Sequence, residues 1–245
     1  MKKHLLLIAA VALVLMLTPT HGQFGPSAPR FDAGLAKLFG DNSAFSADLE
    51  VQGKDGSGGE AMSLPGKIAF LEGKARFEMD MTQAKGGKIP AGAAAQMKAM
   101  GMGNMIMISR PDKKLVYMLY PGMQAYVENE TKDAADPKAA DQWKMEATEL
   151  GKETVQGHPC VKNKVIVTDD KGDKHESIVW NATDLNKFPV KIETSVRESQ
   201  VTMLFKEIKL AKLDAALFDA PKDFKRYDTM QSMMQEEMMK RLPNR

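Results

Sequence analysis

Methionine is the residue whose abundance and spacing point most directly to chemistry in this chain. The sequence has 19 methionines in 245 residues, and two clusters of them stand out. The first cluster is Met97, Met100, Met102, Met105 and Met107, and the second is Met230, Met233, Met234, Met238 and Met239. Thioethers are soft ligands that select Cu(I), and they also make deformable apolar surfaces. The clusters are therefore candidates for binding.

Three interpretations of the methionine clusters stay open. Methionine can fill an adaptable core, line a surface for an apolar ligand, acyl chain or partner helix, or bind copper. The spacings Met100-x-Met102 and Met105-x-Met107 fit the copper interpretation, but neither cluster contains a histidine. We therefore favour a core or a ligand pocket, and we expect no metal site and no cofactor.

Residues that could carry out catalysis are scarce. Only His158 and His175 follow the first 22 residues, and the chain has no Gly-x-Ser-x-Gly elbow and no phosphate-binding loop pattern. The sequence Gly157-His158-Pro159 predicts a turn, after which Cys160 begins a strand and packs as a small apolar residue. The sequence therefore predicts a protein that is not an enzyme.

The first residues have the three parts of an export signal. Lys2 and Lys3 form the basic part, residues 5–17 form an apolar run shorter than a membrane span, and small or polar residues follow. We place cleavage after Gly22, with a retained N-terminal anchor as the alternative. Because the only cysteine is Cys160, acylation of the N-terminus as in lipoproteins is not expected. The predicted location is periplasmic or secreted.

The net charge argues against nucleic acid as a partner. The chain has 34 basic and 32 acidic residues, and removal of residues 1–22 takes away two lysines and leaves 32 of each. Proteins that hold nucleic acid need a surplus of positive charge.

Short strands dominate the pattern after residue 40. Residues 45–51 alternate with a period of two, residues 67–71 and 74–81 form a hairpin around Glu72-Gly73, and strands are predicted in eight further segments up to residue 210. Helices are predicted over residues 31–39 and 90–100 and in the C-terminal segment. In the strand over 200–210, Phe205 and Ile208 fall on opposite faces, which predicts a bulge near Lys206-Glu207 or a sheet covered on both faces.

Residues from Gly151 onward resemble a known family. The segments Gly151-x-Glu153-x-x-x-Gly157-x-x-Cys160, Trp180-Asn181-Ala182 and Phe188-Pro189-Val190 are similar to uncharacterised exported bacterial proteins, a domain of unknown function related to the LolA/LolB-like lipoprotein carriers. The resemblance implies a mostly β (α+β) fold, with a strongly curved antiparallel half-barrel sheet and two or three helices over its concave face. In the carriers, that cavity holds acyl chains.

These observations together predict an order of segments and a binding site. The order is a signal peptide (1–22), a linker (23–30), a LolA-like β domain (31–228) and a methionine-rich helix (229–245). The expected ligand is a lipid or a lipoprotein acyl chain, with copper binding or an envelope scaffold or sensor role as alternatives. The residues expected to line the cavity are Met97, Met100, Met105, Met107, Phe45, Leu49, Met79 and Phe205. The residues expected to bind a protein partner are Met230, Met233, Met234 and Met238.

Overall fold

The structure is a computed structural model that describes residues 33–54, 62–86, 92–130, 143–169, 171–196 and 199–241. These residues contain three α-helices, which are α1 (Ala33–Leu38), α2 (Ala93–Ala99) and α3 (Met230–Arg241). They also contain twelve strands, which are β1 (Ala44–Lys54), β2 (Met62–Leu71), β3 (Lys74–Asp80), β4 (Asn104–Arg110), β5 (Leu115–Tyr120), β6 (Ala125–Glu130), β7 (Lys144–Val155), β8 (His158–Thr168), β9 (Lys174–Ala182), β10 (Pro189–Val196), β11 (Ser199–Lys209) and β12 (Lys225–Tyr227). The predicted signal peptide and linker lie outside the described residues.

All twelve strands belong to one open, curved sheet. Their order is β12-β6-β5-β4-β3-β2-β1-β11-β10-β9-β8-β7. Strands β1 to β6 and strands β7 to β11 are two runs of consecutive antiparallel neighbours, and the pairing of β1 with β11 joins the two runs. Only β12 is parallel to its neighbour, β6. The prediction of a mostly β protein with an antiparallel sheet is therefore confirmed apart from this edge pair.

The main core lies on the face of the sheet that carries Phe45 and Leu49, which we call the inner face. Helix α1 and the residue after it, Phe39, pack there. Phe39 is 1% exposed, and its ring centroid lies 4.6 Å from that of Phe45 and 5.6 Å from that of Phe205. The apolar residues that the sequence places on one face of α1 are thus the residues that fix this helix to the sheet.

The chain after β11 covers the opposite, outer face of β4 and β5. Phe218 is fully buried there among Ile108, Tyr117 and Leu119. The short 3-10 helix that contains Phe218 is capped by Asp214, whose side chain accepts a hydrogen bond from the Ala216 amide, as the sequence predicts. The chain then adds β12 to the edge of the sheet and returns over the inner face as α3.

Arg110 fastens this crossing segment to the sheet. Its side chain is 9% exposed, and its Nη1 donates to the Phe218 carbonyl oxygen at 3.1 Å and to the Asp219 carboxylate. Its Nε and Nη2 donate to both carboxylate oxygens of Asp112, at 2.9 and 2.8 Å. A planar guanidinium is suited to this bidentate arrangement. The outer face is therefore closed over β4 by both apolar packing and charge.

Two details of the predicted strands are confirmed by the backbone. Glu72 and Gly73 both have positive φ, of 49° and 86°, as a two-residue hairpin turn requires. The register between β1 and β11 shifts between Ser46 and Asp48, and Glu207 has a φ of 47°. This bulge returns Ile208 to the inner face, where it packs against the main core.

Two other predictions about strands are wrong. The turn before β8 lies at Gln156-Gly157, both with positive φ, and His158 is already the first residue of the strand. The strand over 200–210 is the last that the sequence predicts, but β12 follows it in the chain, and β11 itself lies in the interior of the sheet. A three-residue strand is too short to give a periodic signal.

Candidate ligand-binding site

Four methionines from neighbouring strands share the inner face. Met79 on β3 pairs across the strands with Met105 on β4, and Met107 on β4 pairs with Met118 on β5. Met105 and Met107 are two residues apart and therefore point to the same side. Side chains opposite each other on antiparallel strands have Cβ atoms about 5 Å apart. These four residues form a continuous surface, which we call the methionine patch.

The patch lies between the two clusters of buried residues on the inner face. Met107 packs against the main core that includes Phe45 and Phe205, whereas Met105 and Met118 pack against the cluster beneath α3. Met79 is 5% exposed, while the other three are only half-buried. Because methionine has three rotatable bonds and no branch, such a surface can change shape at little cost.

Helix α3 covers the edge of the patch and is held there by one buried side chain. Among the α3 residues whose side chains the structure describes, only Met233 is buried, with 0% exposure. It contacts a cluster formed by Tyr120, Ala125, Val127 and Tyr227, which we call the anchor seat. Burial raises the pKa of Tyr120 to about 12, which marks the seat as a poorly hydrated environment.

Polar contacts hold α3 only at its surface. Lys225 on β12 contacts the Glu236 carboxylate at 2.6 Å, and Lys240 contacts it at 3.1 Å. The hydrogen bond from Lys225 has the largest effect and that from Lys240 the next largest, and together they lower the pKa of Glu236 to about 2. The side chains of both lysines are more than half exposed, and water screens such ion pairs so that they add little to stability. Apolar burial of Met233 is therefore the main interaction that seats α3.

The structure places the predicted lining residues in three environments. Met79, Met105 and Met107 belong to the methionine patch, together with Met118, which the sequence analysis did not select. Phe45, Leu49 and Phe205 are buried in the main core. Met97 lies on α2 and Met100 directly follows it, and both are half-buried. Their role as lining of a ligand cavity stays a prediction.

The predicted partner-binding methionines are placed as follows. Met230 and Met234 lie beside Met233 and pack against the same cluster. Met238 lies on α3, but its side chain is outside the described part of the structure. Tyr120 and Tyr227, which form the walls of the seat, carried no signal in the sequence. Their strands are apolar on both faces or too short to show a period.

A second, polar cleft lies on the outer face. Its volume is about 470 Å³, and Trp180 lies at its wall with Glu153, Lys191 and Glu193. The indole Nε1 of Trp180 donates to Glu153, and the Lys191 ammonium lies 4.1 Å from the ring centroid. Lys191 also pairs with Glu193 at 2.6 Å. The charges of Glu153, Lys191 and Glu193 are therefore paired within the protein.

The only cysteine has the environment of a packing residue. Cys160 is 3% exposed, its Sγ donates to the backbone oxygen of His158, and burial raises its pKa. A nucleophilic cysteine needs the opposite shift. The His158 ring instead contacts Asp184, at 2.8 Å between Nδ1 and Oδ2. Within the described residues, no three His, Cys, Asp or Glu side chains form a group that could hold a metal ion.

Comparison with known proteins identifies a family for this chain. A family model described as a domain of unknown function, DUF4412, matches residues 60–188, which is more than half of the sequence. No curated protein matches the chain. In the described part of the chain, no helix is long and apolar enough to span a membrane.

Several solved structures are similar to the chain. A LolA superfamily protein from Nitrosomonas europaea is 7% identical, with coverage of 75% of this chain and 93% of that one, and a TM-score of 0.39. The lipoprotein LppX from Mycobacterium tuberculosis is 9% identical, with coverage of 76% and 97% and a TM-score of 0.39. LprF from Mycobacterium bovis is 13% identical, with coverage of 77% and 96% and the same score. Because these scores are below 0.5, no binding property is transferred from these structures.

Proposed function

The chain belongs to the DUF4412 family, and we propose that it is a non-enzymatic binding protein that holds an apolar chain against the methionine patch. The ligand is a lipid or the acyl chain of a lipoprotein, and α3 is the element that moves to admit it. The binding residues are Met79, Met105, Met107 and Met118, with Phe45, Leu49 and Phe205 as the floor. Met97 and Met100 line the entrance near α2.

The observation that carries this proposal is the contrast between the patch and its cover. Three of the four patch methionines are only half-buried, although they lie on the face that contains the core. The cover above their edge is held by one buried side chain, Met233. A deformable apolar surface under a lightly held helix can accept a flexible chain without disturbing the aromatic core.

Simple energetics favour exchange of the helix for a ligand. Full burial of one methionine side chain is worth about 1.5–3 kcal/mol, and each buried methylene of a ligand is worth about 0.8 kcal/mol. A chain that buries about ten methylenes would therefore gain about 8 kcal/mol before the costs of association. This gross gain exceeds the contribution of Met233, so an acyl chain displaces α3 when the difference between the two is larger than the cost of association.

The proposed location is outside the cytoplasm. It rests on the export signal predicted for residues 1–22. A carrier of acyl chains in an envelope works without covalent chemistry, which agrees with the inert environment of Cys160. A protein partner that captured α3 through Met230, Met233 and Met234 would use the same released state.

Native mass spectrometry with palmitate tests the proposal. We expect one palmitate per protein, and we expect the Met118→Glu variant to lose it because a carboxylate in the patch opposes an apolar chain. Met145→Glu is the matched control, since Met145 is 46% exposed on β7 and should leave binding unchanged. Circular dichroism checks that both variants fold. Absence of any adduct, or equal binding by the Met118→Glu and wild-type proteins, would refute the proposal.

A further inference from the structure

The two methionine clusters of the sequence meet in the folded chain. Met102 and Met105 from the first cluster and Met230, Met233 and Met234 from the second pack in one group, which also includes Met118 and Met123. The two clusters are separated by more than 120 positions in the sequence. Their convergence brings methionines of the sheet and methionines of α3 against the same buried cluster.

Most of these sulfur-bearing side chains are accessible. Met233 is fully buried, but the other six are only partly buried. A small ion could therefore reach the group from solvent without unfolding of the sheet.

The chemistry of the group selects one class of metal ion. Thioethers are neutral, soft ligands that suit Cu(I), whereas Zn²⁺, Mg²⁺ and Ca²⁺ prefer thiolate, imidazole or carboxylate ligands. Carboxylates close to α3 are already paired, since Glu236 contacts Lys225 and Lys240 and Glu237 contacts Lys240. The only cysteine is buried in the main core, away from this group. Hard and borderline metals therefore have no suitable ligands here among the described residues.

We propose that this group binds Cu(I) between the sheet and α3. The ligands are drawn from the thioether sulfurs of Met105, Met118 and Met123 on the sheet side and of Met230, Met233 and Met234 on the helix, with at least one from each side. A metal ion held from both sides would fasten α3 to the anchor seat. The site shares Met105 and Met118 with the methionine patch and holds α3 in place, so Cu(I) and an acyl chain should oppose each other's binding. The two proposals are still separable, because copper needs the sulfur atoms whereas an acyl chain needs only apolar surface.

The experiment is an anaerobic titration of the purified full chain with Cu(I) in competition with the chelator bicinchoninate, followed by copper X-ray absorption. We expect a single Cu(I) with a sulfur-only first shell. The double variant Met118→Leu/Met233→Leu should lose at least tenfold in affinity. Leucine keeps the volume and the apolar character of methionine, so the fold should persist, which circular dichroism checks.

Met203→Leu and Met239→Leu are the matched controls. Met203 is buried in the main core and Met239 is 72% exposed, and neither belongs to the proposed site. Both variants should bind Cu(I) like the wild-type protein. Failure of the wild-type protein to compete with the chelator, a first shell of nitrogen or oxygen, or unchanged affinity in the double variant would each overturn the proposal. If the wild-type protein binds Cu(I) but does not bind palmitate, the proposed function is refuted and the copper site stands.

Discussion

Replacement of Met233 by alanine should release α3 and leave the sheet intact. Met233 has 0% exposure and is the only described side chain of α3 that is buried. Burial of a methionine contributes about 1.5–3 kcal/mol, and truncation to alanine removes most of this contribution. We therefore expect the free energy of opening of α3 to fall by about 2 kcal/mol. Each 1.36 kcal/mol corresponds to a factor of ten, so the open state should become about 30 times more populated.

Hydrogen–deuterium exchange with mass spectrometry measures this effect by segment. Peptides that cover residues 230–241 should exchange about 30 times faster in Met233→Ala, because the opening of α3 is local. Peptides from β1, β2 and β11 should exchange at the wild-type rate. Met239→Ala is the control, since this residue is 72% exposed on the same helix. Unchanged exchange in α3, or an equal acceleration in the central strands, would show that α3 is not a separately released element.

Three further predictions concern the rest of the domain. Phe39→Ala should lower the free energy of unfolding by about 3–5 kcal/mol in urea titration, since its ring contacts four other phenylalanines. Arg110→Met should cost about 2 kcal/mol and accelerate exchange at Phe218, because the Phe218 carbonyl loses its donor. The hydrogen bond from Lys206, and after it the one from Gln52, lowers the folded-state pKa of Glu50 to about 2. Glu50 therefore stabilises the fold fully above pH 4.5, its ordinary pKa, and progressively less as the pH falls toward 2.

Each of these predictions has a contradicting result. A loss below about 1 kcal/mol in Phe39→Ala would mean that α1 does not anchor the core. Wild-type exchange at Phe218 in Arg110→Met would show that apolar packing alone holds the crossing segment. At acidic pH, the Glu50→Gln variant lacks the carboxylate that protonation would neutralise. Its midpoint of unfolding in urea should therefore change less between pH 4.5 and 2 than that of the wild-type protein. Equal slopes for the two proteins would contradict the assignment to Glu50.

Local patterns in the sequence were sufficient for most of the strands. Alternation from Phe45 to Val51 fixed the inner face of β1, and Glu72-Gly73 fixed the following hairpin. The change of phase in β11 predicted either a bulge or a sheet covered on both faces, and the backbone shows a bulge, whose extra residue keeps both Phe205 and Ile208 on one face. These features depend on neighbouring residues, and a single sequence records them directly.

Long-range pairing could not be predicted in the same way. Strand β11 pairs with β1 across more than 140 residues, and its own alternation would suit an edge or an interior position equally. Strand β12 has three residues, and its parallel pairing with β6 depends on the preceding segment crossing the outer face. The length of a strand and its position in the chain therefore do not predict the pairing of β11 with β1 or that of β12 with β6.

The candidate site was predicted only in its parts. The sequence marked Met105, Met107 and Met233 as members of clusters, but it could not show that the two clusters converge. Met118 and Tyr120 lie in β5, where residues on both faces are apolar because both faces of that strand are covered. A strand buried on both faces shows no alternation, and its binding face is therefore hidden in the sequence.

The central claim is that an apolar chain binds at the methionine patch and displaces α3. Nuclear magnetic resonance of protein labelled with ¹³C at the methionine methyl groups observes this directly during titration with palmitate. We expect the resonances of Met105, Met107, Met118 and Met233 to shift, with saturation at one palmitate per protein, while those of the exposed Met145 and Met239 stay in place. Shifts confined to the exposed methionines, or no shift at the patch at saturating palmitate, would contradict the claim.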